Sequence, residues 1–263
     1  MGSELTTMQH PVFASQYGAS LQQTVRTMSL ELESPEAPYR LKLSVVSLPP
    51  EGDPLEYLNQ EEKDTYFGFQ YARRRNSYLL GKLAAKTAVA EEGEALSGIQ
   101  IEHGILCQPL VAGRNRKITI THCDSLGAAV GYDPRLLAGV DMELVDEKAA
   151  EAIRRITSRE EEALLPELAA ATALTLLWTA KEAMSKVIQT GFTVPTELFE
   201  LKACTCSGSV VISQFKNFPQ FQAVSILRKE YVYTLVLPAK VLAGSSETRL
   251  IEGLEGLLPD GVG

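Results

Sequence analysis

The segment Leu136-Leu137-Ala138-Gly139-Val140-Asp141-Met142-Glu143, read with Leu176-Leu177-Trp178-Thr179-Ala180-Lys181-Glu182-Ala183-Met184-Ser185-Lys186, decides how the rest of the chain is understood. In an extended strand, residues two apart share a face, so Asp141 and Glu143 present paired carboxylates at the end of an apolar run. In a helix, residues four apart share a face, which aligns Glu182 with Lys186. Three carboxylates and one ammonium can therefore converge where two apolar segments run out. Such a cluster is a poor device for stabilising a fold and a good one for holding a hard divalent cation against a polyphosphate, the lysine neutralising further anionic oxygens. Metal-assisted phosphoryl transfer is the chemistry this favours. Taken singly, each motif also has a plainer account: alternate acids can be a solvated sheet edge, and a Lys-Glu-x-x-x-Lys helix face can be surface charge.

Outward from these segments, the chain reads as strand, helices, strands, and then the same order again. Residues 1–33 are polar and mixed and are expected to form an irregular arm. Leu41–Leu48 reads as a strand closed by Pro49-Pro50, followed by helices over about 56–71 and 73–91. Ile118–His122, Gly127–Tyr132 and Leu136–Leu144 read as a three-strand meander, with turns at Asp124-Ser125-Leu126 and Asp133-Pro134. Helices over about 146–156, 158–164 and 167–189 lead through Gly191 and Pro195 to strands near 197–204, 208–214, 220–228 and 231–237. The expected fold class is α+β, a pseudo-dimer of two similar α+β halves. Residues 34–134 form the first half and 135–240 the second, which carries the metal site; 241–263 form a loosely ordered tail. The join falls near Asp133-Pro134, and a cofactor would lie in the cleft between halves.

Composition narrows the function. With 263 residues, 45% of them apolar, the chain can bury one large core or two modest ones. No apolar run reaches the roughly 18 to 20 residues of a membrane span, and the start lacks the basic-then-apolar order of a signal peptide. A cytoplasmic protein with no membrane partner is expected. The net charge of -8 and pI near 5.1 argue against nucleic acid, which calls for a basic footprint. Cys107, Cys123, Cys204 and Cys206 have no zinc spacing, and His10, His103 and His122 are too scattered for a metal cluster of their own. Positive charge is local: Arg73, Arg74, Arg75, Lys82 and Lys86 fall close together, and Arg114, Arg116 and Lys117 form a second cluster. Neither a Walker loop nor a Gly-x-Gly-x-x-Gly turn is present.

Gly-Val-Asp-x-Glu followed by Trp-Thr-x-Lys-Glu-Ala-x-x-Lys resembles the two-part signature of the Sfp-type 4′-phosphopantetheinyl transferases. Ile118-Thr119-Ile120-Thr121-His122 is similar to that family's strand ending in Ser-His. Gln108-Pro109 sits where Lys-Pro is usual, and Arg73 through Lys82 resembles its Arg…Gly-Arg helix. The motifs span roughly residues 40 to 235 in the family's order. Thr121 and Gln108 replace the commoner Ser and Lys. The 36 residues from 142 to 177 are a slightly short interval, implying a trimmed loop near the carrier site.

The resemblance implies an enzyme that moves 4′-phosphopantetheine from coenzyme A to a serine of an apo acyl, peptidyl or aryl carrier protein, releasing 3′,5′-ADP and working as a monomer. Asp141, Glu143 and Glu182 would hold Mg²⁺. Glu182 is the best candidate for general base, and Lys186 and His122 would hold phosphate oxygens. Arg73 would pair with the 3′-phosphate, while Tyr78, Gln108, Pro109 and Thr121 would flank the nucleotide. A relative that binds coenzyme A or a carrier without transferring anything is the alternative; the presence of all three acids with Lys186 argues against it. The carrier dock is expected on the helix after the metal strand, where Ile153 and Ile156 lie three apart beside Arg154, Arg155 and Arg159, although those isoleucines could equally be core.

Overall fold

A computed structural model describes residues 25–34, 37–47, 54–242 and 245–258. The order begins with β1 (Val25–Leu32), β2 (Tyr39–Ser47), α1 (Gln60–Gly68) and α2 (Ala72–Val89). It continues with β3 (Ile101–His103), β4 (Pro109–Val111), β5 (Lys117–Cys123) and β6 (Leu126–Tyr132). The second half holds β7 (Gly139–Leu144), α3 (Glu147–Arg154), α4 (Arg159–Glu162) and α5 (Ala170–Val187). It ends with β8 (Leu201–Ser207), β9 (Val210–Phe215), β10 (Phe221–Arg228), β11 (Tyr231–Pro238) and α6 (Ser245–Leu257). The class is α+β, as expected: two antiparallel sheets, ordered β1-β2-β6-β5-β4-β3 and β7-β11-β10-β9-β8, with six α-helices among the described residues. None of those helices is long and apolar enough to cross a membrane.

Each sheet is covered by one long helix. On α5, Ala173, Leu176, Leu177, Ala180, Ala183, Met184 and Val187 recur at helical spacing and bury one stripe against Val211, Ala223, Val232 and Val236 of the second sheet. Each fully buried Leu or Met there contributes about 1.5–3 kcal/mol of transfer free energy. On α2, Leu80, Leu83, Ala84 and Ala88 pack on Val46, Ile118 and Ala129 of the first sheet. The helices sit close because the facing strands carry glycine. A Cβ at Gly127 would meet the Leu80 carbonyl oxygen at 2.7 Å, and one at Gly139 would collide with the Ala183 carbonyl oxygen. Gly139 thereby sets the separation between β7 and α5, the two carriers of the acidic motifs.

Three expectations are corrected. The third strand of the expected meander does not join the first sheet: β7 pairs with β11, Asp141 opposite Thr234. Pro134 cannot donate to a continuing ladder, and Asp133 accepts from the Arg135 amide in a turn that sends the chain across to the second sheet. The expected irregular arm includes β1, which pairs along its length with β2; residues 1–24 of that arm lie outside the described residues. The expected loose tail includes α6, whose Leu250, Leu254 and Leu257 are buried in a core shared with Leu32 and Leu41. Their i, i+4, i+7 spacing is a helix signal that the interposed Gly253 and Gly256 obscured. Short β3 and β4 extend the first sheet at its edge.

Candidate active site

The two sheets meet along β5 and β7 without merging. Alternation puts Ile118 and Ile120 of β5 toward α2, and Thr119, Thr121 and Cys123 toward β7. The Val140 amide donates to Thr119 Oγ1 at 3.3 Å, Thr121 Oγ1 donates to Asp141 Oδ1 at 2.9 Å, and the Leu144 amide donates to Cys123 Sγ at 3.1 Å. The Cys123 thiol also lies 3.6 Å from Glu143 Oε2 as donor. Burial, with the Glu143 charge second, pushes this thiol up to about 12, so it stays protonated and able to donate.

Lys186 closes the seam from α5. Its Nζ donates to Asp141 Oδ1 at 2.8 Å and to the Val140 carbonyl at 2.9 Å, and lies 4.0 Å from Glu182 Oε2 one turn earlier. Asp141 is 2% exposed. Its Oδ1 is doubly bonded, whereas Oδ2 is buried with no hydrogen-bond donor. Desolvation first, and the Asp141 charge second, raise both Glu143 and Glu182 to about 7. Lys186 opposes both shifts and does not cancel them. The three carboxylates the sequence singled out therefore form one electrostatic unit.

The remaining predicted residues belong to the first half and lie toward the same end of its sheet. His122, at the end of β5, stays open to solvent while its Cδ2 would lie 3.6 Å from a Cβ at Gly81 of α2. Partial desolvation, with the Lys186 ammonium second and Arg74 contributing, holds its imidazole below the usual histidine value. Arg73 is exposed on the first turn of α2 and makes no side-chain hydrogen bond or ion pair among the described residues. Its neighbours are engaged: the Arg74 guanidinium lies 5.4 Å from the Phe69 ring centre, and Arg75 donates to the Phe69 carbonyl at 2.9 Å. Tyr78 packs edge-on against Phe69, with the Lys82 ammonium over its ring. Gln108 Oε1 accepts from the Leu106 amide at 2.9 Å, and Pro109 opens β4. Because β4 runs antiparallel to β5, this loop points back toward the His122 end. Thr121 has its hydroxyl committed to Asp141, so its side chain faces the seam.

Among the described residues, no three His, Cys, Asp or Glu side chains are gathered into a ready-made metal cage. The donor set nevertheless fits a hard divalent cation: carboxylate oxygens only, one of them buried without a donor, and a repulsion among three acids that a cation would relieve. A groove lined by Arg40, Glu94, Arg114, Arg116 and Arg135 opens at the other end of the first sheet, where α2 and β6 finish, and takes no part in the site. Sequence reasoning missed Thr119 and Cys123, and it kept Arg74 as an alternative to Arg73. The period-two run Thr119, Thr121, Cys123 was the available signal for the first two, and nothing in the sequence separated Arg74 from its arginine neighbours.

Residues 138–236 match the family model of the 4′-phosphopantetheinyl transferase superfamily (ACPS). The match supports the superfamily and not the Sfp type within it. It runs from the residue before β7 to β11, taking in Asp141, Glu143, Glu182 and Lys186 and leaving out His122 and α2. No curated protein matches the chain.

Proposed function

We propose that this protein is a divalent-metal-dependent phosphopantetheinyl transferase of the Sfp type, moving 4′-phosphopantetheine from coenzyme A to a carrier-protein serine. The observation that carries this reading is the grouping of Asp141, Glu182 and Lys186, in which Lys186 bonds Asp141 Oδ1 and lies beside Glu182 while Asp141 Oδ2 stays buried without a donor, within electrostatic reach of His122. Asp141, Glu143 and Glu182 would hold the metal, Mg²⁺ by its hard-oxygen preference; when bound it supplies positive charge to the pyrophosphate.

The chain's own residues account for the rest. The serine oxygen bonds to the β-phosphorus of coenzyme A, the bond from that phosphorus to the bridging oxygen breaks, and 3′,5′-ADP leaves with the electron pair. Glu182, half-buried beside Asp141, accepts the serine proton. Lys186 turns from Asp141 toward a phosphate oxygen, and His122 donates to another. Arg73 pairs with the 3′-phosphate, while Tyr78, Gln108, Pro109 and the β5 backbone at Thr121 flank the nucleotide.

The carrier approaches over α3, next to β7 in the chain. Ile153 packs there against Ala150 and Leu174, whereas Ile156 is exposed. Arg154 is held by Glu151 and Glu162, leaving Arg155 and Arg159 exposed for an acidic partner. The enzyme works as a cytoplasmic monomer without nucleic-acid or membrane partners, which its acidic charge favours. The test is incubation with coenzyme A, Mg²⁺ and a panel of apo acyl, peptidyl and aryl carriers, followed by intact mass. The expected result is a phosphopantetheine increment on at least one carrier with equimolar 3′,5′-ADP. Tight coenzyme A binding with no increment on any carrier would leave a binding protein in place of a transferase.

A further inference from the structure

β7 is an edge strand. Among the described residues it pairs only with β11, so the amides on its other side, among them those of Val140 and Leu144, point away from the sheet with no strand to receive them. A buried amide left in that state costs about 1–3 kcal/mol. The residues that meet them are β5 side chains in place of a β5 backbone ladder: Thr119 Oγ1 takes the Val140 amide and Cys123 Sγ takes the Leu144 amide. Between these two rungs, Thr121 Oγ1 donates to Asp141 Oδ1, and the Cys123 thiol reaches Glu143. One face of β5 thus touches both carboxylates of β7 and the main chain on either side of them.

We propose that Thr119, Thr121 and Cys123 are positioning residues, a rail in the first half that aims the Asp141 and Glu143 carboxylates of the second half toward the metal. This rests on the functional reading above. Thr121 carries most of the effect. Asp141 Oδ1 is fixed by Thr121 and Lys186 together, leaving Oδ2 free for a cation, and when Lys186 turns to a phosphate the Thr121 hydroxyl is the donor that keeps the carboxylate in place. Thr119 and Cys123 hold the strand's register against β5, so that Asp141 and Glu143 project together. The same β5 points His122 outward on its opposite face. Its residue alternation therefore fixes the distance between the phosphate-holding imidazole and the metal-holding acids.

The experiment is Mn²⁺ binding by calorimetry to wild type, Thr121→Val, Thr121→Ser and Cys123→Ala, with circular dichroism and thermal unfolding as controls. It is paired with kcat and KM for coenzyme A at saturating and limiting metal. Hydrogen-bond partners of metal ligands are typically worth about 10–100-fold in affinity or activity. Thr121→Val is expected to lose about tenfold in Mn²⁺ affinity and to lower kcat mainly at limiting metal, with the KM for coenzyme A within twofold of wild type. Thr121→Ser restores both, and Cys123→Ala shows a smaller loss. A purely structural threonine would lower the unfolding temperature without moving the metal dependence. Unchanged Mn²⁺ affinity in folded Thr121→Val, with wild type binding metal normally, overturns the rail. A Thr121→Val that fails to fold leaves Thr121→Ser and Cys123→Ala to decide, and wild-type affinity in Cys123→Ala together with impaired Thr121→Ser contradicts it. A wild type that binds no Mn²⁺ and modifies no carrier overturns the functional reading first, and the rail with it.

Discussion

The two halves of the molecule solve the same packing problem with the same parts and then diverge at the surface. In each, a short helix begins with a capping box, Asn59 with Glu62 in the first and Ser158 with Glu161 in the second. In each, that glutamate is buried against a lysine of an 18-residue helix: Lys86 of α2 at 2.5 Å, Lys181 of α5 at 2.7 Å. The difference lies on the faces turned toward the seam. α2 carries Arg74, whose charge reaches His122, with the exposed Arg73 beside it, whereas α5 presents Glu182 and Lys186 beside the acids of β7. On the proposed function, one half meets anionic oxygens and the other a cation; the superfamily match covers only the second.

The largest effect expected from breaking this comparison is on stability. Removing one partner of a buried ion pair costs about 3–5 kcal/mol, because the other charge is left without compensation. Lys181→Ala should reach that range in urea unfolding. Lys86→Ala should cost less, since Glu62 keeps Lys82 at 3.2 Å. Equal costs would mean that the two pairs are equivalent and that Lys82 carries none of the charge.

The next effect separates turnover from binding. Glu182→Gln should slow transfer about a hundredfold or more, the scale of general-base and electrostatic contributions, while the fold is retained. Arg73→Ala should instead weaken coenzyme A binding by about 1.5–3 kcal/mol, the worth of a charge-assisted hydrogen bond, and leave dephospho-coenzyme A unaffected. Isothermal titration with both ligands checks this. A larger loss in Arg74→Ala than in Arg73→Ala would move the 3′-phosphate toward His122, whose imidazole senses the Arg74 charge.

How much of this was legible in the sequence follows from how local each signal is. The long helices, strands β5 to β11 and the four charged residues of the second half were readable because period and spacing within one element decide them. The partner of β7 was not: the join at Asp133-Pro134 set this strand with the second half, yet the same turn also suited a meander with β5 and β6, and nothing local chose between the two. β1 was hidden because its residues are half-buried against α6, more than two hundred positions away. The β5 rail was hidden for a related reason: threonine and cysteine on alternate positions read as ordinary strand residues until the second sheet lies against them.

A smaller effect concerns pH. Glu143 and Glu182 sit at about 7 in the folded protein, above the 4.5 of a free glutamate. The fold therefore holds extra protons, and their stabilising contribution is complete below about pH 4.5 and lost as pH rises through about 7. Metal-free protein should melt a few degrees lower at pH 8 than at pH 6, by an amount on the order of 1 kcal/mol after solvent screening. Glu182→Gln should flatten that slope, and Mg²⁺ should restore stability at pH 8 more than at pH 6. A slope of opposite sign would show that the acids do not repel one another as described.

The central claim is that the acids of the second half act through a divalent cation on a ligand held by the first, and one measurement reaches it directly. Apo carrier, coenzyme A and EDTA-treated protein are combined, and carrier mass is followed before and after Mg²⁺ is added back, with Glu182→Gln in parallel. The account predicts no modification without metal, full conversion on its return, and at least a hundredfold slower conversion in the variant. Conversion that proceeds equally with EDTA, or a Glu182→Gln protein that matches wild type, would contradict it.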